Sequence, residues 1–319
     1  MIPHREKGTA LLSVLLLVAV MAVVAATALD RLGLATRLAR NASIAAQSRL
    51  WLQTGEQIAL TRLADANGAD GAAVAAQLGV ERSVTLPDGQ VALLQLDDAT
   101  NCFNLNSLAR EREDGTLTAY PRAIRQLREL LLLLGISEAD AIGLSTRAVD
   151  AIDSDSAARP AGSEIGQDGK PLPNRAFVSA SEFTLIEGVD ASLWQRLSPY
   201  LCALPRHELS RINLETITLD KAELVAMLDP DGLALSDVRA AIAARPRSGF
   251  GDVDRFLERP AFADAVVPST VRGQLSTDTD FVSLRTRITL DGLTLAQRSL
   301  IERSDSGPRL RGRLWGADF

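Results

Sequence analysis

A long uncharged segment occupies the amino-terminal part of the chain. Over 9–29, 21 consecutive residues carry no charge and include no proline. At about 1.5 Å per residue, a helix of this length extends about 31 Å, which matches the hydrocarbon core of a bilayer. The pattern therefore predicts a membrane-spanning helix over 9–29.

The helical pattern continues beyond the apolar segment. Apolar residues recur at seven-residue intervals, with two more placed four residues outside the series: Leu34, Leu38, Ala45, Leu52, Ala59 and Leu63. Charged residues lie off this stripe, namely Arg37, Arg40, Arg49 and Glu56. One helix over 9–64, about 84 Å long, is predicted, with its second half packed on a soluble head through the stripe.

Alternating patterns flank a helical block in the rest of the chain. Strands are predicted on both sides of that block, over 84–86, 91–96, 281–289, 293–302 and 310–315. Between them, 121–257 is mainly helical in pattern, in short segments such as 179–186 that Gly, Pro or Asp bound. The order of elements predicts an α+β fold with a long amino-terminal helix, an antiparallel β head and a large helical block.

Charges on both sides of the apolar segment indicate its orientation. Arg5 and Lys7 precede it, and Asp30 and Arg31 follow it. Because positive charge favours the cytoplasmic side, we expect the short leader in the cytoplasm and everything after Asp30 across the membrane. The alternative is a secretory signal cut at the small-x-small sequence of 26–28. The uninterrupted continuation of the helix favours the membrane anchor.

Composition narrows the classes of function. The 319 residues include 34 Lys and Arg against 40 Asp and Glu, and the net charge of −6 opposes nucleic-acid binding. Two Cys cannot make a four-thiolate zinc site, and two His add little. With 46% apolar and 23% charged residues, the chain is not wholly disordered. Gly-x-Ser-x-Gly, Walker, His-Glu-x-x-His and Gly-x-Gly-x-x-Gly sequences do not occur, so nothing indicates an enzyme.

The amino terminus resembles that of type IV pilin-like proteins. In that family a short basic leader ending in Gly precedes an apolar stretch and a long helix, as 1–8 precedes Thr9 here. The resemblance implies cleavage by prepilin peptidase between Gly8 and Thr9. Ser13 then stands fifth, where the family usually has a Glu that pairs with the amino terminus of the subunit ahead. A first subunit has no such neighbour, and the K-type minor pseudopilins of type II secretion lack this Glu.

Further segments resemble the K-type minor pseudopilin family, in the same order and over most of the chain. They are 102–108, 150–155 with the Gly-Ser-Glu that follows it, and 201–205 leading to 212–216. The resemblance implies that the helical block is inserted in a pilin-like head. The implied division has a leader over 1–8, a membrane part over 9–29, two head segments over 30–108 and 273–319, and an inserted α-domain over 109–272.

The same resemblance implies a non-enzymatic function in protein export. A K-type minor pseudopilin is placed at the tip of the periplasmic pseudopilus and helps to initiate its assembly for export across the outer membrane. The expected partners are the I- and J-type minor pseudopilins, the major pseudopilin, prepilin peptidase and the inner membrane. A single span would hold the chain in that membrane with its head in the periplasm, and nucleic acid is not an expected partner.

The two cysteines are 100 positions apart, at Cys102 and Cys202. An oxidising compartment such as the periplasm permits a disulfide between them. Closing so long a loop would stabilise the fold by about 4–5 kcal/mol in the chain-entropy model. Two buried free thiols are the alternative.

Acidic residues cluster in a stretch that also contains Gly and Pro. They are Asp150, Asp153, Asp155, Glu164 and Asp168. Carboxylate oxygens from such a loop suit Ca²⁺, and the resemblance implies calcium in this domain. Ile165 stands where the family tends to have another acid. A solvated acidic loop with helix caps is the alternative.

Two segments have the pattern of helix-hairpin-helix motifs, 131–149 and 185–201, with Gly135 and Gly188 at their turns. Such hairpins often present backbone N–H groups to DNA phosphates, so a membrane-tethered DNA-binding protein is the alternative function. Glu187 and Asp190 beside the second turn oppose that alternative. The pattern of these two segments is also explained by a pair of helices that pack against each other through apolar side chains and bind no DNA.

Overall fold

The computed structural model describes residues 6–65, 77–263, 265–290, 292–304 and 306–316. Its helices, numbered along the chain, are α1 Glu6–Asp65, α2 Pro121–Leu133, α3 Glu138–Asp150, α4 Ala191–Leu197, α5 Glu223–Ala226, α6 Leu235–Ala243, α7 Val253–Leu257 and α8 Ser269–Arg272. Its strands are β1 Glu81–Thr85, β2 Val91–Asp98, β3 Phe103–Asn104, β4 Ala109–Glu111, β5 Leu117–Ala119, β6 Leu201–Cys202, β7 Ile212–Asn213, β8 Leu275–Ser276, β9 Phe281–Leu290, β10 Leu293–Glu302 and β11 Arg309–Gly316.

The long helix predicted from the apolar pattern is α1, which runs without interruption for 60 residues. Its apolar side chains from Leu11 to Leu29 are exposed, and this part is long and apolar enough to cross a membrane. The stripe meets the head only in its second half, because Leu52, Ala59 and Leu63 are buried. The expectation that the stripe packs from its beginning is wrong, since Leu34 and Leu38 are both exposed.

The head is an antiparallel sheet with α1 packed across it. Its five strands follow the order β1-β2-β9-β10-β11. Gly55 lets the helix approach closely, because a Cβ added there would lie 3.1 Å from Thr286 Cγ2 and 3.2 Å from Leu94 Cδ2. The buried leucines and isoleucines of β2, β9 and β10 complete a small core beneath α1. The predicted strands are confirmed, and alternating burial along β9 explains why its pattern was readable.

A helical insert separates the two halves of this sheet. The chain leaves the sheet after Asp98 and returns at Phe281, and the residues between them build the larger apolar core of the described chain. Strands β3 and β8, which the implied division assigns to the head, pair in parallel with β6 and β7 of the insert. The connecting segments therefore fasten the insert at both of its ends.

One predicted helix in the insert is shorter and tighter than its pattern suggested. The 179–186 segment forms a 3-10 helix over Ala180–Leu185, begun by a reciprocal cap between Ser179 and Glu182. Phe183 is buried and holds the segment to the core. Six residues between a cap and the Gly188 turn are too few to offset the cost of nucleating an α-helix.

Glu56 is buried on the face of α1 that contacts the sheet, although the sequence pattern placed it with the exposed charges. Its carboxylate is fully buried and accepts hydrogen bonds from Gln297 Nε2 at 2.7 Å and from Ser299 Oγ at 2.5 Å. Arg313 Nη2 lies 2.6 Å from Glu56 Oε1. Polar side chains of β10 and β11 thus satisfy a carboxylate that would otherwise be too costly to bury. The helix is fixed to the carboxy-terminal hairpin by this ion pair.

We predict that Glu56→Ala lowers the free energy of unfolding of the full-length chain in detergent by about 3–5 kcal/mol, because it leaves Arg313 without its partner. Urea denaturation followed by tryptophan fluorescence measures the change. Gln57→Ala is the control, since Gln57 is the next residue of the same helix and is exposed. Equal denaturation midpoints for the two variants would contradict the proposed anchor.

Candidate functional site

Three acidic side chains of the insert meet at one point, and we call this group the acidic cage: Asp150, Asp153 and Glu164. One carboxylate oxygen from each lies within 4.8 Å of the other two. Asp150 is the last residue of α3, Asp153 follows in the next turn, and both are fully buried. Glu164 reaches them from a loop that returns to the end of the helix.

The return of the loop depends on Gly162. A Cβ added at this residue would lie 1.9 Å from Asp150 Oδ2 and 3.0 Å from the carbonyl oxygen of Arg159. Only glycine lets the backbone pass this close to the buried carboxylate. The Gly-Ser-Glu sequence that carries the family resemblance is therefore also what brings Glu164 to the cage.

Arg159 is the charged partner of the two buried aspartates. Its Nη1 donates to Asp150 Oδ1 at 2.9 Å and also to Asp153 Oδ2. Its backbone N–H donates to Asp150 Oδ2 at 3.2 Å, so both oxygens of Asp150 are occupied. Sequence reasoning did not include Arg159, because a cation between acidic ligands is not part of a metal-binding pattern.

Three buried oxygen atoms around the cage have no hydrogen-bond partner: Asp153 Oδ1, Glu164 Oε1 and Asn174 Oδ1. Burial raises the pKa of Asp153 against the opposing effect of the Arg159 guanidinium. Burial also raises the pKa of Glu164; a side-chain hydrogen bond with Asn174 opposes this shift, and the neighbouring aspartates add to it. Unpaired buried oxygens are costly, and a set of them around carboxylates fits a hard cation such as Ca²⁺.

The other residues proposed as ligands stand outside the cage. Asp155 is exposed, and its Oδ1 accepts a hydrogen bond from the Ala157 backbone N–H at 2.9 Å. Asp168 is exposed in a tight turn, where its carboxylate lies 3.0 Å from Lys170 Nζ. Ile165 is 47% exposed, so the position where an acid is missing faces outward.

The two cysteines are joined by a disulfide, as predicted. Cys102 immediately precedes β3, and Cys202 ends β6, the strand with which β3 pairs. The bond therefore connects the segment that enters the insert to the strand that follows α4. In sequence, the residues of the acidic cage lie between the two cysteines, within the loop of 100 positions that the bond closes.

Asp98, at the end of β2, gathers the segments that join the head to the insert. Its Oδ2 accepts hydrogen bonds from Asn213 Nδ2 at 2.9 Å, from Thr216 Oγ1 at 2.5 Å and from Thr279 Oγ1 at 3.0 Å. Its Oδ1 accepts from the Thr100 backbone N–H at 2.6 Å. Four donors from three segments of the chain thus converge on one carboxylate. The role of Asp98 was missed, although the 212–216 motif contains two of its partners.

An arginine network closes the other side of this junction. Arg206 Nε donates to Glu302 Oε1 at 2.9 Å, and its Nη1 donates to Asp280 Oδ2 at 3.3 Å. Arg211 Nη1 also donates to Asp280 at 2.9 Å. Although burial opposes the shift, hydrogen bonds from Arg206 and Arg311 lower the pKa of Glu302. The insert is therefore bonded to the last β-hairpin of the head as well as to β2.

The hairpin turns of the insert use their backbone groups internally. At the Gly188 turn, Arg147 Nε donates to the carbonyl oxygen of Glu187 at 3.0 Å. In the turn between α6 and α7, the backbone N–H groups of Phe250 and Gly251 donate to the Glu215 carboxylate at 3.0 and 2.7 Å. At the turn between α6 and α7, which is not one of the two predicted hairpins, an internal carboxylate thus binds the N–H groups that a DNA-binding hairpin would offer to a phosphate.

Comparison with known proteins identifies the family. Two models of the family described as type II secretion system, protein K, match residues 101–206 and 212–278, which together are more than half of the chain. The chain belongs to the type II secretion system protein K family. The predicted family and its part in type II secretion are confirmed, and the DNA-binding alternative is not supported.

Relatives of the protein K family match 80% or more of the chain. The type II secretion system protein K of Klebsiella pneumoniae is 29% identical over 99% of this chain and 99% of its own length. The putative protein K of Escherichia coli K12 is 30% identical over 80% of this chain and 79% of its own. A chain of the crystal structure of the GspK-GspI-GspJ complex from enterotoxigenic E. coli is 28% identical, with a TM-score of 0.63 over 85% of this chain and 100% of that one. The predicted α+β pilin-like fold is confirmed.

We predict that replacing Cys102 and Cys202 together by Ser lowers the thermal midpoint of the full-length chain in detergent. The unfolded chain regains the entropy of a 100-position loop, for which the chain-entropy model gives about 4–5 kcal/mol. Differential scanning calorimetry of the variant and the unreduced wild type measures the loss. Two reactive thiols recovered from unreduced, denatured wild type would show that the bond is not formed in the cell.

Proposed function

We propose that this protein is the minor pseudopilin at the tip of the periplasmic pseudopilus, where it helps to initiate assembly for export across the outer membrane. The observation that carries the proposal is the continuity of α1. Its first half exposes apolar side chains from Leu11 to Leu29, and its second half is buried in the head through Leu52, Glu56 and Ala59. One rigid helix thus connects a membrane anchor to a folded head, as an extractable pilus subunit requires.

The anchor makes this a single-pass protein of the inner membrane with its head in the periplasm. The short basic leader remains in the cytoplasm until prepilin peptidase cuts between Gly8 and Thr9. The backbone of both residues belongs to α1, while residues 1–5 of the leader lie outside the described residues. The Cys102–Cys202 disulfide supports a head in an oxidising compartment.

The bulk of the insert supports the tip position. Between Asp98 and Phe281 the chain builds a second core larger than that of the sheet, and the Asp98 junction fastens it to the head. Another subunit could not add above such a head without meeting the insert. Ser13, in place of the usual Glu, agrees with a subunit that has no neighbour ahead of it.

The partners we propose are the I- and J-type minor pseudopilins beside the tip and the major pseudopilin below it. Support for the first two comes from the GspK-GspI-GspJ complex, one chain of which this protein resembles in fold and sequence. The function is assembly rather than catalysis. The charged clusters described above are satisfied by internal partners or shaped for a cation, and they do not form a nucleophile with an adjacent base.

We propose that the acidic cage binds one structural Ca²⁺. Asp150, Asp153 and Glu164 supply carboxylate oxygens, and Asn174, whose side chain hydrogen-bonds to Glu164, adds its unpartnered Oδ1 as a neutral ligand. Asp155 and Asp168 act only through their charge, from outside the cage. Bound calcium would tie the end of α3 to the loop that returns through Gly162 and stabilise the insert by mass action. Mg²⁺ should replace it poorly, because an irregular loop does not offer octahedral geometry.

We predict that wild-type protein isolated from a strain with active export begins at Thr9, and that Gly8→Phe blocks both processing and export. A bulky side chain at the cleavage position excludes the leader from the peptidase. Amino-terminal sequencing and secretion assays measure the two effects. Gly33→Ala is the control in the same helix, since a Cβ there meets no atom within 4 Å. A mature protein that starts after Ala28 would instead establish an ordinary secretory signal.

We predict that Ser13→Glu does not increase export or pseudopilus number, because a first subunit offers the new carboxylate no partner ammonium. The charge would cost about 2.5–3.5 kcal/mol near the middle of a membrane helix and less near its end. Secretion assays in a strain lacking its own protein K compare it with Ser13→Ala. A gain of export in Ser13→Glu alone would overturn the tip assignment.

A further inference from the structure

Arg159 occupies part of the space in which the acidic cage would hold a metal ion. Its Nη1 bridges Asp150 Oδ1 and Asp153 Oδ2, and its backbone N–H takes the second oxygen of Asp150. An ion that binds all three carboxylates of the cage needs an oxygen from Asp150. Both oxygens of Asp150 are already bonded to Arg159.

A guanidinium and a calcium ion cannot both bind Asp150 Oδ1 and Asp153 Oδ2, the two oxygens to which the Arg159 side chain donates. Ca²⁺ binds oxygen at about 2.3–2.6 Å, which would place it against the Nη1 group and its like charge. The net charge of the cage favours exchange of Arg159 for Ca²⁺. The three carboxylates keep a formal charge of −2 with Arg159 in place and −1 with Ca²⁺ in place. Arg159 also leaves Glu164 Oε1 and Asp153 Oδ1 without a donor, so it satisfies the cage only in part.

We propose that Arg159 is an internal counter-cation that holds the cage together before calcium binds and swings out when calcium enters. This inference rests on the proposed calcium function of the same cage. The Arg159 side chain is 30% exposed, whereas those of Asp150 and Asp153 are 0% and 1% exposed. The guanidinium therefore lies at the solvent side of the cage and can leave into water without displacing buried side chains.

The exchange predicts opposite effects of one substitution on the two states. Without Arg159 the empty cage holds repelling carboxylates, so the metal-free protein becomes less stable. The calcium-binding state no longer has to displace a guanidinium, so the affinity for calcium rises. If Arg159 fills the cage in nine of ten metal-free molecules, its removal strengthens calcium binding about tenfold. A side chain with only a structural role would weaken both states.

The experiment compares wild type, Arg159→Gln and Arg175→Gln as full-length chains in detergent. Arg175→Gln removes the same charge next to Asn174, but Arg175 pairs with Glu182 and not with the cage. Thermal midpoints are measured in excess chelator, and calcium binding is measured by calorimetry after the chelator is removed. Arg159→Lys is added because it keeps the charge without the planar fork, and it remains measurable if Arg159→Gln does not accumulate.

We expect Arg159→Gln to have the lowest thermal midpoint in chelator and about tenfold tighter calcium binding than wild type. Arg175→Gln should be close to wild type in both measurements, and Arg159→Lys should lie between wild type and Arg159→Gln. Calcium binding by Arg159→Gln alone would also support the exchange. Equal or weaker calcium binding in the Arg159 variants, with wild type still binding, would overturn the exchange and leave the calcium proposal standing. Absence of binding in every chain at millimolar calcium would overturn both proposals.

Discussion

The placement of the insert on the head depends on a single carboxylate, that of Asp98. A partly buried carboxylate needs donors, and here Asn213, Thr216 and Thr279 supply them from segments more than a hundred positions away along the chain. Because the three donors approach one oxygen, none of their segments can shift without leaving it underbonded. Folding of the insert and pairing of β2 with β9 are therefore coupled at this point, which explains why so large an insertion does not loosen the sheet.

Two ion pairs connect the long helix, the sheet and the insert in sequence. Glu56 bonds α1 to β10 and β11, and Arg206 bonds the last residue of β10, Glu302, to the insert. A force on the helix thus reaches the sheet through an ion pair and the insert through a second one. Gly55 lets the helix lie directly on the strands, so little apolar packing has to deform along the way. Such stiffness agrees with the proposed function, in which the subunit is extracted from a membrane by its helix.

The sequence predicted what periodicity and turn residues encode, and missed what depends on pairing between distant segments. The uninterrupted apolar run gives α1, and period-two alternation gives β9 and β10. Glu56 was misplaced because a helical period indicates faces but not the polar partners that Gln297 and Arg313 bring to one of them. Asp98 ends a strand, where an acid ordinarily reads as a solvated turn residue. Nothing local distinguishes it from a surface aspartate.

The three residues of the acidic cage were among the five acids predicted from the sequence, which could not separate them from Asp155 and Asp168. Asp150 and Asp153 are three positions apart at the end of a helix, a spacing that places both carboxylates on one side. The third carboxylate depends on the path of a loop, and only the clearance at Gly162 settles that Glu164 returns while Asp168 does not. The sequence likewise does not distinguish Arg159 from an arginine on the surface. Its meaning follows from geometry alone, because a guanidinium that bonds Asp150 and Asp153 while leaving Glu164 Oε1 without a donor is an incomplete match to the cage. An incomplete match is what would let a better-suited cation, such as the proposed Ca²⁺, displace it.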